Sequence, residues 1–480
     1  MHLYAPTATL TCNYVDSVQA EAGQSRSALA YDVTEPKGRR RPPSGTNSSE
    51  DAVLKQRGRD LIGSAAKDVH RNFAIARWAI SKHLDYNTQF DFLSSAGEEF
   101  GSFDDDLEDW VAEKIKPKAF DIARRHGLDR FLRLAECRNV LDGDIGVMQL
   151  ASGHVQAIEA DRIRSPREND DGWTNGVRTG PGGVALAYGI WDRGARGRGY
   201  RWNRSVPAAR FHLHGSFDRF DQYRGISPFA AALIPLQDVY EGIDYSIAKL
   251  KVEQLFAMAV FRKAESAAAP FSEDASQGDG RRKRYEIDFG RGPIFIDLDP
   301  GDDAKFLKSD SPGANSREFL MAVIMIALKT LNIPFSFFDE SFTNFFGSRS
   351  AWLHYERSCE ANHQNIQELL NWWFMWRLQL AVQDRELRIP RGLSLRRPWW
   401  EWVPAGMPWW DPVKEINGDN QAVMAGYTDP ENVCKKRNQG NWFKNIRKRA
   451  RCERFAKELG VKVSWDMVPV QEVTVVKDEA

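Results

Sequence analysis

Residues 227–331 spell two long apolar-striped helices separated by a polar insert, and such a pair cannot bury both stripes within one copy of itself. Ser227-Pro228 suits a helix start, because serine can cap and proline loses no hydrogen bond in the first turn. Phe229, Leu233, Leu236, Tyr240, Ile243, Ile247 and Leu250 then recur at three- and four-residue steps, predicting a stripe that runs to about Phe261. Pro235 predicts a kink or a restart. The insert, 262–313, carries the basic run Arg281-Arg282-Lys283-Arg284, strand candidates at Tyr285–Phe289 and Pro293–Leu298, and the turn Asp299-Pro300-Gly301-Asp302. The second helix spans Asn315–Leu331 and stops at Asn332-Ile333-Pro334. Repeating the pair around an axis would bury the stripes between neighbours, which is the logic of a heterologous ring.

An aromatic loop follows, 335–348, with Phe335, Phe337, Phe338, Phe342, Phe345 and Phe346, and a third helix is predicted over Arg349–Gln383. Upstream, residues 1–50 lack periodicity and read as an arm. Helical spacing covers Glu50–His83 and Asp104–Glu136, the latter with a turn near His126-Gly127. Short strands are expected between Val140 and Phe217, and the Gly/Arg-rich stretch Gly176–Arg204 reads as hairpin loops within that sheet. The last part holds Trp-rich turns at Trp399–Trp410 and two shorter helices, near Val413–Ala425 and Asp429–Leu459.

The 66 basic and 66 acidic residues cancel, so any contact with nucleic acid or anionic lipid must be local rather than a bulk attraction. Hydrophobic content of 42% against 28% charged fits a folded chain rather than a disordered one. The 16 Trp cluster late, which suggests broad packed surfaces between elements or subunits. The five Cys are scattered without CxxC spacing and read as reduced thiols. The first residues lack the pattern of a signal peptide. The longest apolar run, Phe319–Leu328, is far shorter than the roughly 18 residues of a membrane span.

No catalytic signature assembles. GxxxxGK[ST], HExxH and GxSxG are all absent, so a P-loop motor, a zinc helix and a nucleophile elbow are excluded. His212 and His214 share one strand face and could offer two imidazoles to a metal; the plainer reading is a strand with two partly exposed histidines. Asp104, Asp105, Asp106, Glu108 and Asp109 could gather a divalent cation, or could simply favour the positive end of a helix. The basic runs at 281–284, 435–437 and 447–451 suit either phosphate contact or solvated faces. Trp372-Trp373-Phe374-Met375-Trp376 suits base stacking or, on a long helix, a packing seam.

Order and residues together resemble the lambda-type portal proteins of tailed bacteriophages, from about Asp51 to Gly460. The resemblance rests on Arg71–Ile80, Gly143-Asp144, Ile158–Ile163, His212 to His214, Arg224-Gly225-Ile226-Ser227-Pro228, and the late Asp411-Pro412-Val413-Lys414-Glu415 with Gly426 and Thr428. One departure is Asn344-Phe345-Phe346-Gly347-Ser348-Arg349, which keeps Asn344 and Arg349 but lacks the family's paired serines. The resemblance implies an α+β portal fold. It divides into an arm (1–50), a mixed α/β wing (51–226), a two-helix stem (227–261 and 314–332), a small αβ clip (262–313), a tunnel loop (333–348), and a long outer helix with helical crown (349–480). It further implies a ring of about twelve copies at one capsid vertex, assembled in the host cytoplasm, through which double-stranded DNA is packaged and ejected. Implied partners are the terminase large subunit, the major capsid protein and head-completion adaptors, with no cofactor, no catalytic residue and no membrane. The implied channel residues are Lys329, Phe335, Phe337, Phe338, Asn344, Phe345, Phe346 and Arg349, the phenylalanines being equally suited to anchoring the loop in neighbouring subunits, and Arg281, Arg282, Lys283 and Arg284 would face the terminase. Two alternatives remain open on the residues alone: a metal-dependent nucleic-acid enzyme using Asp104–Asp109, and a non-portal adaptor ring.

Overall fold

A computed structural model describes residues 48–117, 120–166, 172–194, 199–255, 259–262, 302–305, 314–339, 345–393, 398–406 and 411–461. The arm and the body of the insert, with its 281–284 basic run and both strand candidates, lie outside the described residues.

The chain enters through three helices, α1 (Glu50–Val53), α2 (Gln56–Asn72) and α3 (Ala74–Asn87), and a strand β1 (Phe90–Ser94). Helix α4 (Gly101–Trp110) continues into one wide turn, Val111–Ile115, that buries Val111 and Ile115. Residues 116–117 and 120–127 are not helical, so the predicted block 104–136 is two helices. The second, α5 (Leu128–Asp142), starts at Gly127, where a Cβ would lie 2.3 Å from the Lys116 carbonyl oxygen.

Two sheets follow. Strands β2 (Asp144–Gln149) and β3 (Val155–Glu159) belong to one, and β4 (Trp173–Thr174), β5 (Val177–Thr179), β6 (Ala185–Arg193) and β7 (Tyr200–Pro207) form another. Strand β8 (Phe211–Gly215) returns to give the order β3-β2-β8, all antiparallel. The stretch expected as hairpin loops is therefore mostly strand, in a second sheet of order β4-β5-β6-β7. Strand β7 is exposed along most of its length, although Tyr200, Trp202 and Val206 alternate with polar residues and Val206 is buried.

Helix α6 (Ala230–Leu255) runs through Pro235 without a restart, and it ends before the predicted Phe261. In its place strand β9 (Ala259–Arg262) pairs antiparallel with β10 (Asp302–Lys305), which joins the two ends of the insert. Helix α7 (Ala314–Leu328) closes with a tight turn, Lys329–Leu331, and Asn332 in the left-handed region at φ 55°. Helix α8 begins at Phe345, four residues before the predicted Arg349, and runs to Gln383. Strand β11 (Trp400–Pro404) pairs with β1. The C-terminal part holds three helices where two were expected: α9 (Pro412–Met424), α10 (Pro430–Lys436) and α11 (Trp442–Glu458). Asp411, Asp429 and Asn441 cap them through their side chains, and Pro occupies the first turn of α9 and α10.

The result is a mixed α+β fold with three apolar centres. One gathers Trp110, Trp373, Phe374, Trp399, Trp400 and Trp402 between α4, α8, β1 and β11. The second joins α2, α3 and α5 to the first half of α6 and the last half of α7. The third lies between the sheets, around Met148, Ile158, Tyr188 and Phe211. Among the described residues no helix is long and apolar enough to cross a membrane.

Candidate subunit and channel surface

The helix pair is rooted in a buried charge cluster that its own sequence neighbourhood does not reveal. Arg224, just ahead of α6, grips Asp144 of β2 in a two-point pair, with Nε 2.7 Å and Nη2 2.8 Å from the carboxylate oxygens. Both side chains are almost fully buried. The remaining guanidinium protons go to the carbonyls of Ala160, Ile163 and Asn175. Asp144 also accepts from the Gly225 amide at 2.8 Å. A second pair backs the first: Arg59 donates to Asp51 at 2.8 Å and to the Gly225 carbonyl at 2.6 Å, while Asp51 accepts from the Tyr223 amide and from Asn175. A bidentate, fully hydrogen-bonded pair is the form in which a buried ion pair is tolerated.

Two glycines make that approach possible. Gly143, at φ +94°, ends α5, and a Cβ there would meet Gly225 and Ile226 backbone at 2.7 Å. A Cβ on Gly225 would lie 2.0 Å from the Gly143 carbonyl oxygen. Ser227 does not cap α6 as predicted; its hydroxyl donates to the Val140 carbonyl at 2.6 Å. Gly143-Asp144 and Arg224–Pro228, far apart in sequence, are thus one joint that fixes where α6 leaves the body.

From that joint α6 and α7 run antiparallel, with Gly242 facing Leu320. Phe229, Leu233, Leu236 and Val239 are buried against Ile324, Ala327, Leu328 and Leu331. Farther out the predicted stripe is only partly covered: Ile243 leans on the core and Tyr240 meets Phe73 edge-on, yet Tyr240 and Ile247 remain largely exposed. The opposite face of α7 shows Phe319 at 68% and Ile326 at 64%, seven residues apart on one line, with Ala322 and Met325 beside it. On α6, Ile234 and Tyr245 are 70% and 71% exposed.

The aromatic segment after α7 is anchored in its own chain. Phe338 meets Trp78 edge-on with centroids 5.6 Å apart, and Phe337 packs against Tyr86, Trp352 and Tyr355 at 5.9, 5.6 and 5.4 Å. Phe335 leans on Phe338. These three rings, expected to face a channel, are half-buried parts of the subunit's own aromatic core. Phe345 and Phe346 belong to the first turn of α8 rather than to a loop, and Asn344 lies outside the described residues. Lys329 is exposed at the end of α7, and Arg349 is half-buried near the start of α8. Arg349 is close enough to Asp411 to help Lys414, the main cause, hold that carboxyl below its ordinary range.

Set beside known proteins, residues 38–362 match the model of the phage portal protein, lambda family. The chain belongs to this family. No curated protein matches it. Among solved structures, a chain in the virion of a native gene transfer agent particle is 14% identical, with a TM-score of 0.46 over 79% of this chain and 98% of that one. A chain in the neck of the native particle, computed with C12 symmetry, is 14% identical, with a TM-score of 0.47 over 77% and 92%.

In this portal-family chain the acidic run at 104–109 has structural partners. Asp104 is buried and accepts from the Ser94 hydroxyl and the Ala96 amide. Asp105 and Glu108 hold Lys444 of α11 at 2.6 and 2.7 Å. Among the described residues no group of three or more acidic, His or Cys side chains is placed to hold a metal. The 435–437 run is likewise engaged: Lys435 meets Glu401 and Glu431, and Arg437 meets Glu415 and Asp419. Trp373 and Phe374 are buried, so the Trp-rich run is a packing seam.

Of the two histidines expected to be partly exposed, His212 is so, whereas His214 is not. His214 is buried and donates to Glu136 of α5 at 2.9 Å, and His83 of α3 donates to the other carboxylate oxygen at 2.9 Å. Asn139 adds a third bond at 3.1 Å. Burial alone would raise the Glu136 pKa, but the bonds from His214 and His83 overcome it and hold the carboxyl well below the usual carboxylate range. This triad ties α3, α5 and β8 together. No sequence pattern discloses it, because its three members lie on elements far apart in the chain and share no spacing.

His212 packs at 5.3 Å against the Trp372 ring, and burial, helped by His214, pushes its pKa down to about 4. The unfolded chain binds a proton near pH 6.5 that this folded imidazole refuses until about 4, so stability falls as pH drops through that window. His70 and His363, also pushed down by burial, act in the same direction. Glu136 adds a second loss below about pH 4.5, where the unfolded carboxyl protonates first. Urea unfolding at pH 7.5 and at pH 5 should differ by about 2 kcal/mol on account of His212. His212→Phe, which keeps the ring on Trp372, should remove that share; an unchanged difference would refute the assignment.

Proposed function

We propose that the chain is the subunit of a portal ring through which double-stranded DNA enters and leaves a capsid, with about twelve copies closing around the axis. The observation that carries this reading is the uncovered apolar line on α7, Phe319 to Ile326, in a chain of the lambda portal family. A water-facing rod of this kind gains burial only from another molecule, and identical copies around a closed axis supply it without leaving an open edge.

Within that reading, residues 51–226 form the wing, α6 and α7 the stem, 262–313 the clip, and 349–480 the outer helix and crown. The clip, with Arg281, Arg282, Lys283 and Arg284, docks the terminase large subunit and later the head-completion proteins, and the wing meets the major capsid protein. Phe335, Phe337 and Phe338 serve as the fixed base of the 333–348 segment. Brief contact with DNA falls to Lys329, Asn344, Phe345, Phe346 and Arg349. The balanced charge suits a conduit, since it confines attraction for DNA to local patches rather than spreading it over the whole of every copy.

The test is the size and shape of the purified full-length protein. Mass measurement in solution and negative-stain images should show a closed ring with a central hole. A stable monomer at micromolar concentration would refute the reading, and magnesium-dependent DNA cleavage abolished by Asp105→Ala would favour a nucleic-acid enzyme instead.

A further inference from the structure

Helix α11 stands out in a chain whose net charge is zero: it buries none of its residues and carries seven basic side chains against two acidic ones. At 100° per residue, Lys444, Arg447, Lys448, Arg451 and Arg454 fall within about a third of its circumference. The first end of this stripe is held by the protein, since Lys444 pairs with Asp105 and Glu108 and Arg447 reaches Asp105 at 3.9 Å. Beyond that point Lys448, Arg451 and Arg454 continue the same face with no acidic partner among the described residues. Phe455, 61% exposed, lies between them, and only Glu458 interrupts the stripe, at its far end.

We propose that this free face of α11 docks on the phosphate backbone of duplex DNA. The reasoning is charge complementarity in one dimension. The stripe extends about 15 Å along the helix axis. A duplex offers about one negative charge per 1.7 Å of its axis, so a row of cations meets a row of anions. Two of the three free cations are arginines, whose planar fork matches phosphate oxygens. Phe455 adds an apolar contact for the sugar edge. The anchoring of Lys444 on α4 fixes the helix on the body, so binding costs little ordering of its backbone. The inference rests on the portal reading for its cargo, but its test does not depend on ring formation.

The measurement is binding of a short fluorescently labelled duplex to the full-length protein across a salt series. It compares the native chain with the triple variant Lys448→Gln, Arg451→Gln, Arg454→Gln. Glutamine keeps helix propensity and leaves the Lys444 anchor in place. The variant should bind at least about tenfold more weakly at low salt, and its salt slope should be shallower by about 0.9 for each phosphate it no longer neutralises. Absence of duplex binding by the native chain, or an unchanged slope in the variant, would overturn the proposal. So would loss of the native oligomeric state in the variant, which would assign the cations to a neighbouring copy. Competition by polyglutamate as strong, charge for charge, as by duplex would assign the face to an acidic protein. Oligomeric state of the native chain, measured separately, keeps the two readings apart. A monomer that binds DNA through these residues refutes the ring alone, and a ring that binds no DNA refutes this helix alone.

Discussion

Replacing Arg224 with alanine should destabilise the body of the protein by about 3–5 kcal/mol, the usual cost of leaving a buried carboxylate without its partner. Asp144 is fully buried and would keep the Gly225 amide as its donor, with no cation bonded to it and only Arg59, itself paired with Asp51, nearby. The carbonyls of Ile163 and Asn175 would lose the guanidinium donor at the same time, while that of Ala160 would keep only the Ile163 amide. Arg224→Lys should recover little, because an ammonium cannot span both carboxylate oxygens and three carbonyls from one planar fork. The double variant Arg224→Met, Asp144→Leu should lose less than either single charge deletion, since no unpaired charge remains. Urea unfolding followed by tryptophan emission reads these differences. A loss below about 1 kcal/mol for Arg224→Ala would show that water reaches Asp144 and that the joint is not what fixes α6.

The same joint shows what a sequence can and cannot disclose. The stripe on α6 is legible because helical packing writes its period locally, every three or four residues. The joint is legible only as motifs of unknown purpose, since Asp144 and Arg224 are brought together by two sheets and carry no mutual spacing. The second sheet hides for a physical reason: β7 is its edge strand, exposed along most of its length, and the glycines and arginines around it mask the alternation of Tyr200, Trp202 and Val206. Pro235 looks like a break, yet Leu233 and Leu236 on either side are buried in the core, and their packing outweighs one missing backbone bond. The acidic run at 104–109 is visible as charge, but its partner Lys444 lies at the other end of the chain, so a metal and a lysine are equally compatible with it. The three phenylalanines of the aromatic segment carry the same ambiguity. Exposure and burial differ only through Trp78, Tyr86 and Tyr355, which no local pattern ties to them.

Ile326→Glu should abolish assembly of the full-length protein while leaving each copy folded. Ile326 is 64% exposed, so a carboxylate there stays in water in the isolated subunit, and glutamate is a good helix former. Within a closed ring the same side chain would enter an apolar contact. That costs the roughly 1.5–3 kcal/mol a buried isoleucine contributes and adds the larger penalty of burying an unpaired charge. Every interface in a heterologous ring is identical, so the penalty recurs at each one and no arrangement of copies avoids it. Ile326→Leu should assemble normally, and Ile324→Glu, two residues away but 3% exposed, should unfold the chain instead. Sedimentation with circular dichroism separates the three outcomes. Rings that persist in the Ile326→Glu variant would place the subunit contact on another face of the pair, where Ile234 and Tyr245 of α6 are the next uncovered candidates.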